Sequence, residues 1–181
     1  MQRLLRGTIT RQAYVELLRN LADIYRGLEA GLDQHAAHPA LAGVDLPRLR
    51  RTGALQADIA ALSRATDGVY ASRPATREYV ERLHTLSDDA PELLLAHAYV
   101  RYMGDLSGGR ILAGIVAKTL DLTSGAGAAF YEFPLVPDHT AFKAAFRIAL
   151  DDAAQVASPD ALVREAQYGF SLHERLFGEL E

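Results

Sequence analysis

Apolar residues recur at three- and four-residue intervals along most of the chain. Tyr14, Leu17, Leu18, Leu21, Ile24, Tyr25, Leu28 and Leu32 form one such stripe, as expected of a helix that buries a single face. Thr8 or Thr10 stands where that helix needs a capping hydroxyl. His35–Pro47 holds two prolines and a glycine and predicts a loop. Leu49–Ala65 predicts a second helix, Asp67-Gly68 with Pro74 a break, and Thr76–Leu86 a short helix. Ser87 or Asp89 is placed to cap the next one, with Pro91 in its first turn. That helix runs to about Leu120 in spite of glycines at its middle. Thr123–Pro137 is rich in Gly and Pro and predicts the longest loop, within which Phe130-Tyr131-Glu132-Phe133 reads as a short extended piece on the core. Asp138–Ala154 is helical, with Phe142, Phe146, Ala149, Leu150 and Ala153 on one face. Ser158-Pro159 opens the last helix with a capping serine and a proline at the first helical position. There, Val163, Ala166, Phe170, His173, Phe177 and Leu180 keep three-four spacing, so a histidine interrupts an aromatic, core-facing stripe. The expectation is one all-α domain over residues 1–181, without repeats, linkers or low-complexity tracts.

Composition narrows this picture. The chain has 181 residues, enough for one substantial core, with 49% apolar and 23% charged residues. A net charge of −4 argues against a general nucleic-acid binder. The absence of cysteine excludes disulfides, thiolate metal sites and cysteine nucleophiles. No apolar run is long enough for a membrane span, and MQRLLRGTITR has neither the apolar centre nor the cleavage site of a signal peptide. A cytoplasmic protein is the expectation.

The glycines of the long helix need an explanation. Gly104, Gly108 and Gly109 fall within six residues. Each interior glycine costs about 1 kcal/mol relative to alanine, so three cost roughly 3 kcal/mol. Gly104 and Gly108 are four apart with Ser107 beside them, which gives one flat face with little side chain. Such a face serves close packing of a neighbouring helix, or a flat ligand lying on the backbone. Arg101 and Asp105 are also four apart and can pair. That pair is either an exposed bridge worth under about 1 kcal/mol, or an acid holding water in a pocket.

The stretch Ala98–Gly109, AYVRYMGDLSGG, resembles the distal helix of the haem oxygenase family, where a GDLSGG segment lies over the haem face. Similarity extends over Gly7–Glu29, Tyr79–His84, Glu92–Leu120, Phe130–Phe133 and the last helix to Leu180, almost the whole chain. The resemblance implies an all-α enzyme that cleaves haem, its cofactor and substrate, to biliverdin, iron and carbon monoxide. Its partners would be O2 and an electron donor such as a ferredoxin or flavin reductase. It places Gly104 and Gly108, with Ser107 nearby, against the haem. It makes Asp105 the acid that organises a proton-delivering water network, with Tyr25, Tyr79, Arg101 and His173 as the other members. The family often has asparagine at the position of His173. Lys143 and Arg147 match residues that contact the haem propionates, although a solvated face with Arg147 paired to Asp151 would also explain them. Phe170 and Phe177 match aromatic residues of the pocket wall, and core packing alone would explain them too. Tyr99 is expected as a further pocket residue.

The resemblance also implies a proximal histidine on a helix that precedes the segment matching Met1-Gln2-Arg3-Leu4. None of the six histidines of this chain occupies that position, so the iron ligand is expected upstream of Met1. A start site further upstream, a histidine supplied from elsewhere or by a second subunit, and loss of catalysis all remain open. The other functions compatible with the sequence are a non-catalytic haem or tetrapyrrole binder on the same fold, and a helical interaction protein whose glycine face packs a partner helix.

Overall fold

The computed structural model describes residues 2–122 and 126–180, and the start of the expected Thr123–Pro137 loop lies outside them. Helices are the regular elements of the described residues: α1 (Gln2–Leu5), α2 (Arg11–Gln34), α3 (Pro39–Ala42), α4 (Thr52–Leu62), α5 (Pro74–Asp89), α6 (Leu94–Ala98), α7 (Gly104–Thr119), α8 (His139–Ala153) and α9 (Pro159–Glu179). Every member of the stripe from Tyr14 to Leu32 is buried, and α2 runs through the middle of the core. It packs against α4, α5 and α6, and α9 closes the other side against α5 and α6.

The caps show why several boundaries fall where they do. Thr10, not Thr8, accepts from the Ala13 backbone N–H at 3.2 Å and opens α2. Asp138 and Ser158 do the same for α8 and α9. Pro74 does not merely mark a break but occupies the first position of α5, which therefore starts earlier than Thr76 and runs on to Asp89. Neither Ser87 nor Asp89 caps the following helix, because both lie within α5. The 3₁₀ turn Pro91–Leu93 leads directly into α6 instead.

The structure departs from the sequence pattern in four further segments. Within His35–Pro47, His38 caps the one-turn helix α3. The helix expected over Leu49–Ala65 forms but is shorter, Thr52–Leu62, with a 3₁₀ turn before it at Leu46–Leu49 and another after it at Ala65–Asp67. Phe130 and Tyr131 sit in the 3₁₀ turn Ala129–Tyr131 rather than in extended chain. The buried Asp58 explains this turn, since its carboxylate accepts from the backbone N–H groups of Gly127, Ala129 and Phe130 at 3.1, 3.0 and 2.7 Å. Three donors aimed at one carboxylate fold the chain tightly. In α9 the buried line is Leu162, Glu165, Gly169, Leu172, His173 and Leu176. Val163 and Phe170 of the expected stripe are 56% and 52% exposed, because the core contacts its N-terminal half one position away.

Candidate active site

The long helix expected from residue 91 to 120 is interrupted by the π turn Tyr99–Met103, after which Gly104 opens α7. A π turn adds a residue to the helical ladder and re-aims the side chains around it. Val100, Arg101 and Tyr102 of this turn are buried. In α7, Leu106, Gly109 and Val116 are fully buried, and the side chain of Asp105 is nearly so.

The glycines divide into two kinds. A Cβ on Gly109 would stand 3.3 Å from the Tyr131 carbonyl oxygen, so this glycine permits close packing of α7 on the Ala129–Tyr131 turn. A Cβ on Gly104 or Gly108 would meet no atom of the described residues within 4 Å. Among the described residues no neighbouring helix packs on that face at either glycine, so close packing explains one glycine of the three and leaves two as open backbone.

A buried polar cluster lies next to this bare face. Asp105, adjacent to Gly104, accepts a short hydrogen bond from the Tyr25 hydroxyl. Arg101 Nη2 reaches its Oδ1 at 3.3 Å. Arg101 Nη1 donates to His173 Nε2, and its guanidinium stands 5.1 Å from the Tyr25 ring centre. The Arg101 and Asp105 side chains are only 8% and 12% exposed, which removes the surface-bridge alternative. Burial raises the Tyr25 hydroxyl well above its ordinary value, so it remains a donor. Burial also raises Asp105, against the lowering effect of Arg101. Burial, then Arg101 and His97, push His173 well down, so it is neutral and accepts through Nε2. Arg101 Nε and His173 Nδ1 are buried without a hydrogen-bond partner among the described residues. Orphaned polar atoms of this kind suit ordered water.

Tyr79 joins this cluster only through its ring, set edge-on to His173 at 5.5 Å. Its hydroxyl bonds His97 Nδ1 at 3.0 Å, and His97 Nε2 lies 2.9 Å from Glu165. Arg82 grips Glu165 in bidentate fashion at 2.9 and 2.6 Å. Burial opposes ionisation of Glu165, but Arg82 and His97 outweigh it and hold the carboxyl at about 2. Gly169 makes room for this arrangement, since a Cβ there would stand 3.2 Å from His97 Nδ1. Sequence reasoning missed His97 and Glu165. The available signal was spacing: His97 lies one turn before Arg101, and Glu165 two turns before His173.

The rim is looser. Lys143 Nζ approaches Ser107 Oγ at 3.3 Å, which brings α8 to the glycine face. Arg147, one turn further, is exposed and makes no ion pair among the described residues. Tyr99 is half-buried and lies 6.4 Å, ring to ring, from Phe146. Phe177 packs edge-on to His173 at 5.5 Å. Phe170 faces outward and joins none of these groups. Five histidines have a ring nitrogen engaged: His35 on Ser87, His38 on the Ala40 N–H, His97, His139 on the Leu106 carbonyl, and His173. His84 is exposed on α5. Among the described residues no cluster of three or more His, Asp or Glu could hold a free metal ion.

The fold and site together define a class of helical protein in which a bare stretch of helix backbone borders a buried tyrosine–aspartate–arginine–histidine cluster. A family model described as Heme oxygenase matches residues 1–179. The chain is 37% identical over 180 residues to heme oxygenase 1 of Nostoc sp., covering 98% of this chain and 75% of that protein. It superposes on the crystal structure of heme oxygenase-1 from Synechocystis sp. in complex with heme, with a TM-score of 0.90 and 34% identity, over 99% of this chain and 82% of that one. Heme oxygenase from Leptospira interrogans superposes with a TM-score of 0.88 at 33% identity, over 98% and 88%. The chain belongs to the heme oxygenase family.

Proposed function

We propose that this protein is a haem oxygenase that cleaves haem to biliverdin, iron and carbon monoxide, using O2 and electrons from an external donor such as a ferredoxin or flavin reductase. Membership of the family carries the reaction class. The observation that carries the site is the juxtaposition of open backbone at Gly104 and Gly108 with the buried acid Asp105. The chain's residues suit haem on two counts: a planar ligand needs a surface without side chains, and the orphaned Arg101 Nε and His173 Nδ1 supply polar anchors for water.

When bound, haem supplies the iron that activates oxygen and the macrocycle that is opened. Every other task falls to the protein. Gly104 and Gly108 leave the distal side without a side chain that would ligate iron or crowd a small molecule. Asp105 holds water beside that face, with the Tyr25 O–H and Arg101 fixing the orientation of its carboxylate. Since the Tyr25 hydroxyl stays protonated and His173 stays neutral, the cluster passes protons through Asp105-bound water rather than by ionising either group. Lys143 and Arg147 on α8 serve the anionic edge of the ligand, and Lys143 already reaches Ser107 on the glycine helix. Tyr99 and Phe177 form part of the wall. No histidine of this chain is assigned to the iron.

Replacing Asp105 with Ala tests this reading. Haem should still bind, because the glycine face and the rim cations are untouched, while biliverdin formation falls roughly a hundredfold or more, the usual scale for losing positioned proton transfer. Turnover equal to the parent protein would refute the role of Asp105.

A further inference from the structure

The helix that offers the glycine face is thinly anchored. Its fully buried residues are Leu106, Gly109 and Val116, with Leu112 and Ala113 half-buried against the core. The π turn precedes it, and glycines at 104, 108, 109 and 114 soften it. Beside it stands α8, whose first residue, His139, places its imidazole Nδ1 3.2 Å from the backbone carbonyl of Leu106. A carbonyl only accepts, so Nδ1 donates. The ring is braced from behind by Phe133, edge-on at 6.0 Å. Phe133 is itself buried beneath the Arg51 guanidinium, 4.0 Å from its centre. The imidazole therefore has a fixed backing and one polar target.

We infer that His139 is a positioning residue that ties the N-terminus of α8 to the backbone of α7 between Gly104 and Gly108, and so sets the distance from the glycine face to the cations Lys143 and Arg147. This rests on the reading of the glycine face as the haem surface. Lys143 reaches Ser107, the next residue after Leu106, so the two side chains stitch adjacent positions of α7 to successive turns of α8. Lys143 is engaged by this account in ligand binding, and its ammonium must turn toward an anion. His139 is then the contact that holds the two helices in register throughout. A rigid planar ligand with charged groups on one edge needs that register, because the face and the cations sit on different helices.

The test compares the parent protein with His139→Ala and His139→Asn. Asparagine carries an N–H donor the same number of bonds from the backbone as Nδ1, and alanine carries none. In ligand-free protein, amide exchange at residues 104–110 should quicken roughly three- to tenfold in the alanine variant, the range for one lost hydrogen bond. It should return toward the parent rate in the asparagine variant. The haem Kd should rise by a similar roughly three- to tenfold factor in the alanine variant and be rescued by asparagine. Unchanged exchange in the alanine variant, or an asparagine variant as impaired as alanine, overturns the inference. If the parent protein fails to bind haem, the functional reading falls, and the exchange measurement still decides whether His139 tethers α7.

Discussion

Alanine at Gly104 or Gly108 separates a ligand surface from a packing surface, because the two predict opposite signs for stability. A Cβ at either position meets nothing within 4 Å among the described residues, and both lie in helical backbone. Substitution therefore removes unfolded-state freedom without a clash and should stabilise the protein by about 0.4–1 kcal/mol. For a chain of this size that is roughly 1–4 °C in melting temperature. Gly114 also has open space around its Cβ and lies further along the same helix, so Gly114→Ala should give the same gain. Gly109→Ala should behave otherwise, since its Cβ would press on the Tyr131 carbonyl at 3.3 Å and the pinned turn cannot yield freely. A net loss of about 1 kcal/mol is expected there. Haem binding should follow a different order. A methyl group standing on the ligand face at 104 or 108 costs about 1–3 kcal/mol of contact, so haem Kd should rise roughly fivefold to a hundredfold. Gly114→Ala should leave it unchanged. Chemical denaturation and haem titration of the four variants check this. Destabilisation by alanine at 104 or 108 would show that something packs there. Stabilisation with unaltered haem affinity would show that the ligand lies elsewhere.

Three further outcomes follow from the buried clusters. Asp105→Asn, which keeps an oxygen acceptor for Tyr25 but removes the charge, should fold and bind haem yet form biliverdin far more slowly, as measured by product absorbance under reducing conditions. His173 has a folded pKa well below the ordinary 6.5, so below pH 6.5 the unfolded chain takes up a proton that the native chain refuses. Stability should then fall with decreasing pH by up to about 1.4 kcal/mol per unit, and His173→Asn should flatten that slope in denaturant titrations at pH 7 and 5.5. Glu165 acts in the same direction in a lower window: its carboxyl is held at about 2 against an ordinary 4.5, so its stabilisation is present above pH 4.5 and is lost as pH drops toward 2. The shift corresponds to about 3–4 kcal/mol, which solvent screening of the part-exposed Arg82 trims to about 2–3 kcal/mol, and Glu165→Gln should abolish this pH dependence in acid unfolding curves.

Legibility in the sequence tracked periodicity and local motif. The α2 stripe was readable because eight apolar positions at helical spacing have no other use, and all eight are buried. GDLSGG was readable because glycines inside a helix demand a reason. What the motif did not reveal was the division of labour among those glycines, since Gly109 meets Tyr131 from a turn more than twenty residues away in sequence. The same holds for Asp58, whose three backbone partners lie about seventy residues downstream and bend a segment that otherwise reads as extended. The α9 stripe erred by one position because Phe170 is apolar yet exposed, while Gly169 and Glu165 are buried for reasons that reside on α5 and α6. His97 is uninformative in the sequence for a similar reason: a histidine gains meaning only when Tyr79 and Glu165 are seen on either side of it.

The most direct measurement is a haem titration of the intact chain followed by addition of a reductase system in air, with the absorption spectrum recorded throughout. A stoichiometric haem band that then decays as the biliverdin absorbance grows is the predicted result. A haem band that forms and persists under the same conditions would contradict the assignment of oxygenase activity, and the absence of any haem band would contradict the glycine face as its site.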